Sequence, residues 1–176
     1  MRSKIADWDA RSMIRLCQWR RKNAIGFFKA VTYTGYGRFW WTVAGLFMLL
    51  GNAGIQVVPF QLKLLQAMLG ALVAYLLCLL MKRGFQRRRP FQVLADCPAL
   101  ISCTQNDSFP SAHAASWFAF SFATFLLQMP GAFAFGIWAL LVSFSRFFLG
   151  VHFPSDLFAG AMVGILSGMS VLWLGL

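Results

Sequence analysis

Glutamate is absent from all 176 residues, and the only acids are Asp7, Asp9, Asp96, Asp107 and Asp156. A disordered acidic tail, a soluble coiled coil with paired charges and a catalytic site built on several carboxylates are therefore excluded. Histidine is nearly as scarce, with only His113 and His152. Charged residues make up 12% of the chain, about half the share usual in a soluble domain. What charge there is leans one way, since sixteen Lys and Arg against five Asp give a net +11. In a soluble protein that balance points to nucleic acid. Here 59% of the residues are hydrophobic, so the partner read from the sequence is an anionic lipid bilayer and not nucleic acid.

The charges are also segregated. None occurs in 39–60, 64–81, 108–145 or 157–176. A membrane span takes about 20 mostly apolar residues. The third window is long enough for two spans and is broken by Pro130-Gly131, as a tight turn requires. Five spans follow, at about 39–57, 63–81, 112–129, 131–149 and 156–175. Backbone inside lipid must satisfy its own hydrogen bonds, and no alternating strand pattern is present. The fold class expected is all-α integral membrane, a bundle of about five transmembrane helices.

Residues 1–38 form a different region from the transmembrane domain of 39–176. They hold nine of the sixteen cations and no apolar run long enough for a signal-peptide core. Ala6, Ala10, Met13, Leu16 and Cys17 fall on one helical stripe, with Lys4, Arg11, Arg15 and Lys22 towards the other side. The pattern predicts a basic amphipathic helix on the membrane surface; a solvated basic tail is the alternative. Ile25 to Val31 is a second apolar piece, too short to cross. Cys17 and Cys78 read as small buried hydrophobes. Cys97 and Cys103 share the loop 82–111, either as a disulfide in an oxidising compartment or as two free thiols.

Five spans put the end of span two, the start of span three, the end of span four and the start of span five on one side. Those ends carry Lys82 to Pro90, then Pro110-Ser111-Ala112-His113, then Ser145-Arg146, then His152 to Asp156. Lys82, Arg89 and Arg146 call for an anion, and guanidinium forks match phosphate oxygens. Pro110 is placed to start a helix, aiming the amides of Ser111, Ala112 and His113 at the same space. Two histidines add a nucleophile and a proton donor for a leaving oxygen. Asp156 is spaced to orient and stabilise His152. Singly, each residue has a plainer reading: a juxtamembrane charge anchor, a helix cap at Ser111, a snorkelling Arg146. Anchors alone do not gather both histidines and the last acid on one pole.

The set resembles the three-part signature of the type 2 phosphatidic acid phosphatase superfamily, membrane lipid phosphatases related to vanadium haloperoxidases. That pattern is Lys, six residues, Arg-Pro; Pro-Ser-Gly-His; and Ser-Arg, five residues, His, three residues, Asp. Every spacing agrees; the departures are Ala112 where the family has glycine and five spans where its larger members have six, the amphipathic segment standing in place of the first, as in some short bacterial members. The resemblance implies that His152 is a nucleophile forming a phosphohistidine, with Asp156 behind it and His113 as acid to the leaving lipid oxygen. Lys82, Arg89, Ser111, Arg146 and the amide of Ala112 would cradle the phosphate, with no metal and no cofactor. It also implies a lipid phosphate or diphosphate substrate, with short bacterial members tilting the choice to undecaprenyl diphosphate over phosphatidylglycerol phosphate, phosphatidic acid or a lipid A phosphate. A lipid phosphotransferase with the same intermediate, or a non-catalytic lipid-binding or transport protein, would keep the same motifs. On sidedness the arguments part. Fifteen of sixteen cations share the site's side, which the positive-inside rule puts in the cytoplasm, whereas most bacterial relatives face outward from the inner membrane.

Overall fold

The computed structural model describes residues 4–52, 58–103 and 106–170. The described residues form eight α-helices: α1 (Lys4–Trp19), α2 (Ile25–Tyr33), α3 (Gly37–Asn52), α4 (Val58–Phe85), α5 (Pro90–Val93), α6 (Ala112–Leu126), α7 (Ala132–Phe148) and α8 (Pro154–Met169). Among them there is no strand beyond an isolated bridge between Arg88 and Asp107. The five expected spans correspond to α3, α4, α6, α7 and α8. The far ends of the first and last predicted spans fall partly or wholly outside the described residues. α6 stops at Leu126 and α7 starts after Gly131 (φ 80°), so the turn at Pro130-Gly131 stands where the sequence puts it.

Helix α6 is the centre of the bundle and packs on α4, α7 and α8. Its sequence explains why. Ala112, Ala114, Ala115, Ala119 and Ala123 are all buried, and small side chains let neighbouring backbones approach. The seam with α8 is tighter still. Gly160, Gly164 and Gly168 recur every four residues, and a Cβ on any of them would strike the carbonyl of Ser111, Ala115 or Ala119. This is small-residue packing of the kind that holds helices together in lipid, where apolar side chains gain nothing by leaving the acyl chains for one another.

The outward faces complete the argument for a membrane. Leu62, Leu65, Leu69, Leu72, Leu76 and Leu80 form an exposed row along α4, and Phe133, Ile137, Leu140 and Phe144 another along α7. In water each such side chain forgoes up to about 1.5–3 kcal/mol of burial; against acyl chains it forgoes none. Phe60–Phe85 is the one described helix both long and apolar enough to cross by length and composition. α7 is apolar but has 17 residues. The chain is an all-α bundle of the integral-membrane type.

The N-terminal region does not stand apart from this bundle. α1 packs against α7 and α8, and α2 against α7. Met13 is fully buried with Cys97 and Phe153, in a small core that Leu16 and Cys17 border. The stripe drawn from the sequence thus covers protein. Cys97 also finds a different partner from the one weighed above. It is disulfide-bonded to Cys17, with Cα atoms 5.7 Å apart, while Cys103 is free. The reading of Cys17 as a buried hydrophobe is corrected: sequence separation hid a pair that helix packing creates.

Candidate active site

Every motif residue lies at a helix end, and local sequence explains most of those ends. Lys82 is on the last turn of α4, whose C-terminal carbonyls favour cations. Pro90 opens α5 and makes Arg89 its N-cap residue. Ser111 caps α6, its hydroxyl accepting from the Ala114 amide at 3.5 Å. Arg146 is in the last turn of α7. Pro154 opens α8, and the carboxylate of Asp156 accepts from the Phe153 amide at 2.8 Å, closing the helix start.

The structure brings these ends together. The Nε2 of His152 lies 3.5 Å from an Nη of Arg89, on the cationic side. Its Nδ1 faces Asp156 Oδ2 at 3.6 Å. That is ion-pair range but longer than a hydrogen bond, so the contact expected from the spacing is only approached. Arg89 also donates to the Val151 carbonyl at 2.9 Å. Lys82 Nζ donates to the Asp107 carbonyl at 2.6 Å, and Arg146 to Thr32 Oγ1 at 2.8 Å. Lys82, Arg89, Arg146, Ser111, His152 and Asp156 are all buried. Burying three cations with so little acid is costly unless an anion joins them.

His113 sits one residue into α6. Its ring meets Tyr36 edge-on, centroids 5.0 Å apart, and a Cβ on Gly35 would collide with it. Glycine at position 35 is what lets the α2–α3 turn lie against the imidazole. One expectation is corrected here. The amide of Ser111 is not available to a ligand, because it donates to the Asp156 carbonyl at 3.0 Å. Helix α6 begins at Ala112, so the amides of Ala112 and His113 precede its first internal bond, made by Ala115.

The electrostatics follow from this packing. Burial, and then the nearby charges of Arg89, Arg146 and Lys82, push His152 well below the ordinary histidine value. Its resting imidazole is neutral, the form that leaves a ring nitrogen lone pair free. Buried and without a hydrogen-bond partner at this pole are His113 Nε2, His152 Nδ1 and Arg146 Nε, polar atoms that a bound ligand could satisfy. A cavity of about 310 Å³ opens beside it, lined by Lys29, Thr32, Tyr36, Leu100 and Ser102 among others.

Several contributors escaped the sequence reading. Arg87 donates to Asp156 Oδ1 at 2.6 Å and to Asp9 Oδ2 at 2.7 Å. It is hidden in sequence by the cations around it. Asp9 is fully buried. It lies three residues after Ala6 and four before Met13, on the apolar stripe of α1 itself. An acid on an apolar face was the signal that could have found it.

The model of the PAP2 superfamily matches residues 63–175. The bacitracin transport permease protein BcrC of Bacillus licheniformis is 33% identical over 113 residues, covering 64% of this chain and 56% of that protein. The decaprenylphosphoryl-5-phosphoribose phosphatase of Mycobacterium tuberculosis is 37% identical over 108 residues, covering 58% and 55%. The chain thus spans just over half the length of both relatives. Among solved structures, Aquifex aeolicus LpxE superposes with a TM-score of 0.77 at 24% identity, covering 93% of each chain. A transmembrane PAP2-type phosphatidylglycerolphosphate phosphatase from Bacillus subtilis gives 0.78 at 20% identity, covering 99% of this chain and 87% of that one.

Proposed function

The chain belongs to the PAP2 superfamily, and from that premise we propose that it is a metal-independent membrane phosphatase that hydrolyses a lipid phosphate or diphosphate through a phosphohistidine. The observation that carries the reading is the orientation of His152: Nε2 towards Arg89, Nδ1 towards Asp156. Phosphate held by Lys82, Arg89, Arg146 and the first-turn amides of α6 meets the Nε2 lone pair. The P–N bond forms as the P–O bond to the lipid breaks, and His113 gives its proton to the departing oxygen. The dianionic substrate brings negative charge that offsets the surrounding cations when it binds. Water then loses a proton to His113 and attacks phosphorus, the P–N bond breaks, and inorganic phosphate leaves. Both steps are in-line transfers in which positioning and preorganised positive charge supply most of the stabilisation.

As His152 becomes cationic its Nδ1–H draws towards Asp156, which tightens the 3.6 Å approach. The substrate class that fits best is a polyprenyl phosphate or diphosphate. The mycobacterial relative carries decaprenylphosphoryl in its name and shares more identity than the two solved structures do. The site faces the outside of the inner membrane in this reading, because the bond between Cys17 and Cys97 belongs to an oxidising compartment. One relative bears a transport name, and turnover separates that role from catalysis.

The test is phosphate release by purified protein in detergent, over polyprenyl diphosphate, phosphatidylglycerol phosphate, phosphatidic acid and lipid A phosphate, without an added acceptor. Polyprenyl diphosphate should be turned over fastest, EDTA should leave the rate intact, and vanadate should inhibit. Brief incubation with labelled substrate should leave an acid-labile, base-stable label on the protein. Activity lost to EDTA and restored by Mg²⁺ overturns the mechanism; release of phosphate only with a lipid acceptor makes the protein a transferase.

A further inference from the structure

Outside the signature residues, one buried and heavily bonded carboxylate belongs to the N-terminal helix. Asp9 is fully buried, yet its carboxylate accepts from the Ser155 amide at 3.0 Å, from the Ser155 hydroxyl and from Arg87 at 2.7 Å. Arg87 turns its other nitrogen to Asp156 at 2.6 Å and to Ser155 Oγ at 2.7 Å, and lies over the Phe153 ring at 4.5 Å. One guanidinium therefore bridges two buried carboxylates, and the second of them faces the Nδ1 of His152.

The charge count decides what this arrangement does. A lone Arg87–Asp156 pair would be neutral and would leave little negative charge for an imidazolium. With Asp9 on the other side of the guanidinium, the three groups together carry a net −1, and Asp156 keeps that charge towards His152. We propose that Asp9 is a positioning residue for the phosphohistidine reaction: it shares the Arg87 guanidinium with Asp156, so that one cation is divided between two carboxylates, and anchors the first turn of α8 through Ser155. The family match begins at residue 63, so this carboxylate comes from a part of the chain that the shared motif does not contain. Helix α1 is thereby part of the catalytic unit. The inference rests on the phosphohistidine reading above.

The experiment compares full-length wild type, His152→Ala, Asp9→Asn and the double variant Asp9→Asn/Arg87→Gln, with polyprenyl diphosphate in detergent. Asp9→Asn keeps the size of the side chain and removes its charge. Its kcat should fall about 10- to 100-fold with KM within about threefold, the range seen when carboxylates that orient functional histidines are lost. The double variant removes the cation as well and returns a net −1 to Asp156, so its kcat should rise at least about threefold above Asp9→Asn. A structural staple predicts the opposite order, since losing a second partner worsens the packing. Should Asp9→Asn not elute as a folded species, Asp9→Glu carries the test. A rate within about fivefold of wild type supports the charge role, and a loss beyond a hundredfold overturns it. Wild-type kcat in Asp9→Asn, or a double variant slower than the single one, overturns the inference while an inert His152→Ala leaves the mechanism standing. Phosphate release by His152→Ala sinks the mechanism and this inference together.

Discussion

The two poles of the bundle are built from the same kind of helix ends and could not be more different. At one, Lys82, Arg89, Arg146, His113, His152 and Asp156 converge from four long helices and two loops. At the other, the α6–α7 turn borders the larger hollow, about 530 Å³, lined by Phe125, Leu126, Gln128, Met129, Gly131, Ala132 and Phe133. The hollow beside the charged pole is smaller, about 310 Å³. Size does not mark the chemistry. What marks it is polar burial, which is expensive in an apolar bundle and persists only where something compensates it.

The largest expected difference between the poles is in rate. His152→Ala should lose at least ~10³-fold in turnover, about 4 kcal/mol of barrier, while Phe133→Ala at the far turn should stay within about twofold. Steady-state phosphate release measures both. Equal effects at the two poles would abolish the contrast.

Between the poles runs the glycine seam, and a second experiment asks whether it carries the site. Gly164→Ala places a methyl against the Ala115 carbonyl, which backbone must move to accommodate. Overpacking of this kind costs about 1–3 kcal/mol, so the detergent melting temperature should drop by several degrees. Gly136, whose nearest neighbour across the gap is the Ser121 hydroxyl at 3.5 Å, takes the same change with little loss. A Gly164→Ala protein as stable as wild type would show that α6 and α8 have room to separate.

The smallest effect is in pH. His152 is held neutral by burial and by neighbouring cations, whereas in the unfolded chain it takes up a proton near pH 6.5. Unfolding therefore binds a proton between the depressed folded value and the ordinary one. Stability from this group is complete above about pH 6.5 and declines as pH falls, by up to about 1.4 kcal/mol per pH unit. Denaturation in detergent between pH 5 and 8 should show that slope, and His152→Gln should flatten it.

Much of this is legible in the sequence. Charge-free windows gave the long helices, since no charge is tolerated along a lipid-facing surface. Pro130-Gly131 gave the turn. The fixed spacings of Lys82, Arg89 and Pro90, of Ser111 and His113, and of Arg146, His152 and Asp156 gave the pole, because they are local: each set lies within one helix end or one short loop. What the chain order hides has a common character: the Cys17–Cys97 bond, the engaged amide of Ser111 and the pairing of Asp9 with Arg87. Each depends on a partner from a distant segment, 80 residues away for the cysteines and 78 for Asp9 and Arg87.

The sequence by itself determined that the chain is a membrane helix bundle with the PAP2-type motif residues gathered at one end, because hydropathy and motif spacing are properties of contiguous residues. Only the tertiary structure decided that α1 folds back onto α7 and α8, that Asp9 and Asp156 share one guanidinium, and that the α8 glycines touch the α6 backbone. Those facts turn on which surfaces meet. An acid on an apolar stripe is a defect in an isolated helix and becomes a buried ion pair only when the packing of α1 brings Arg87 to it.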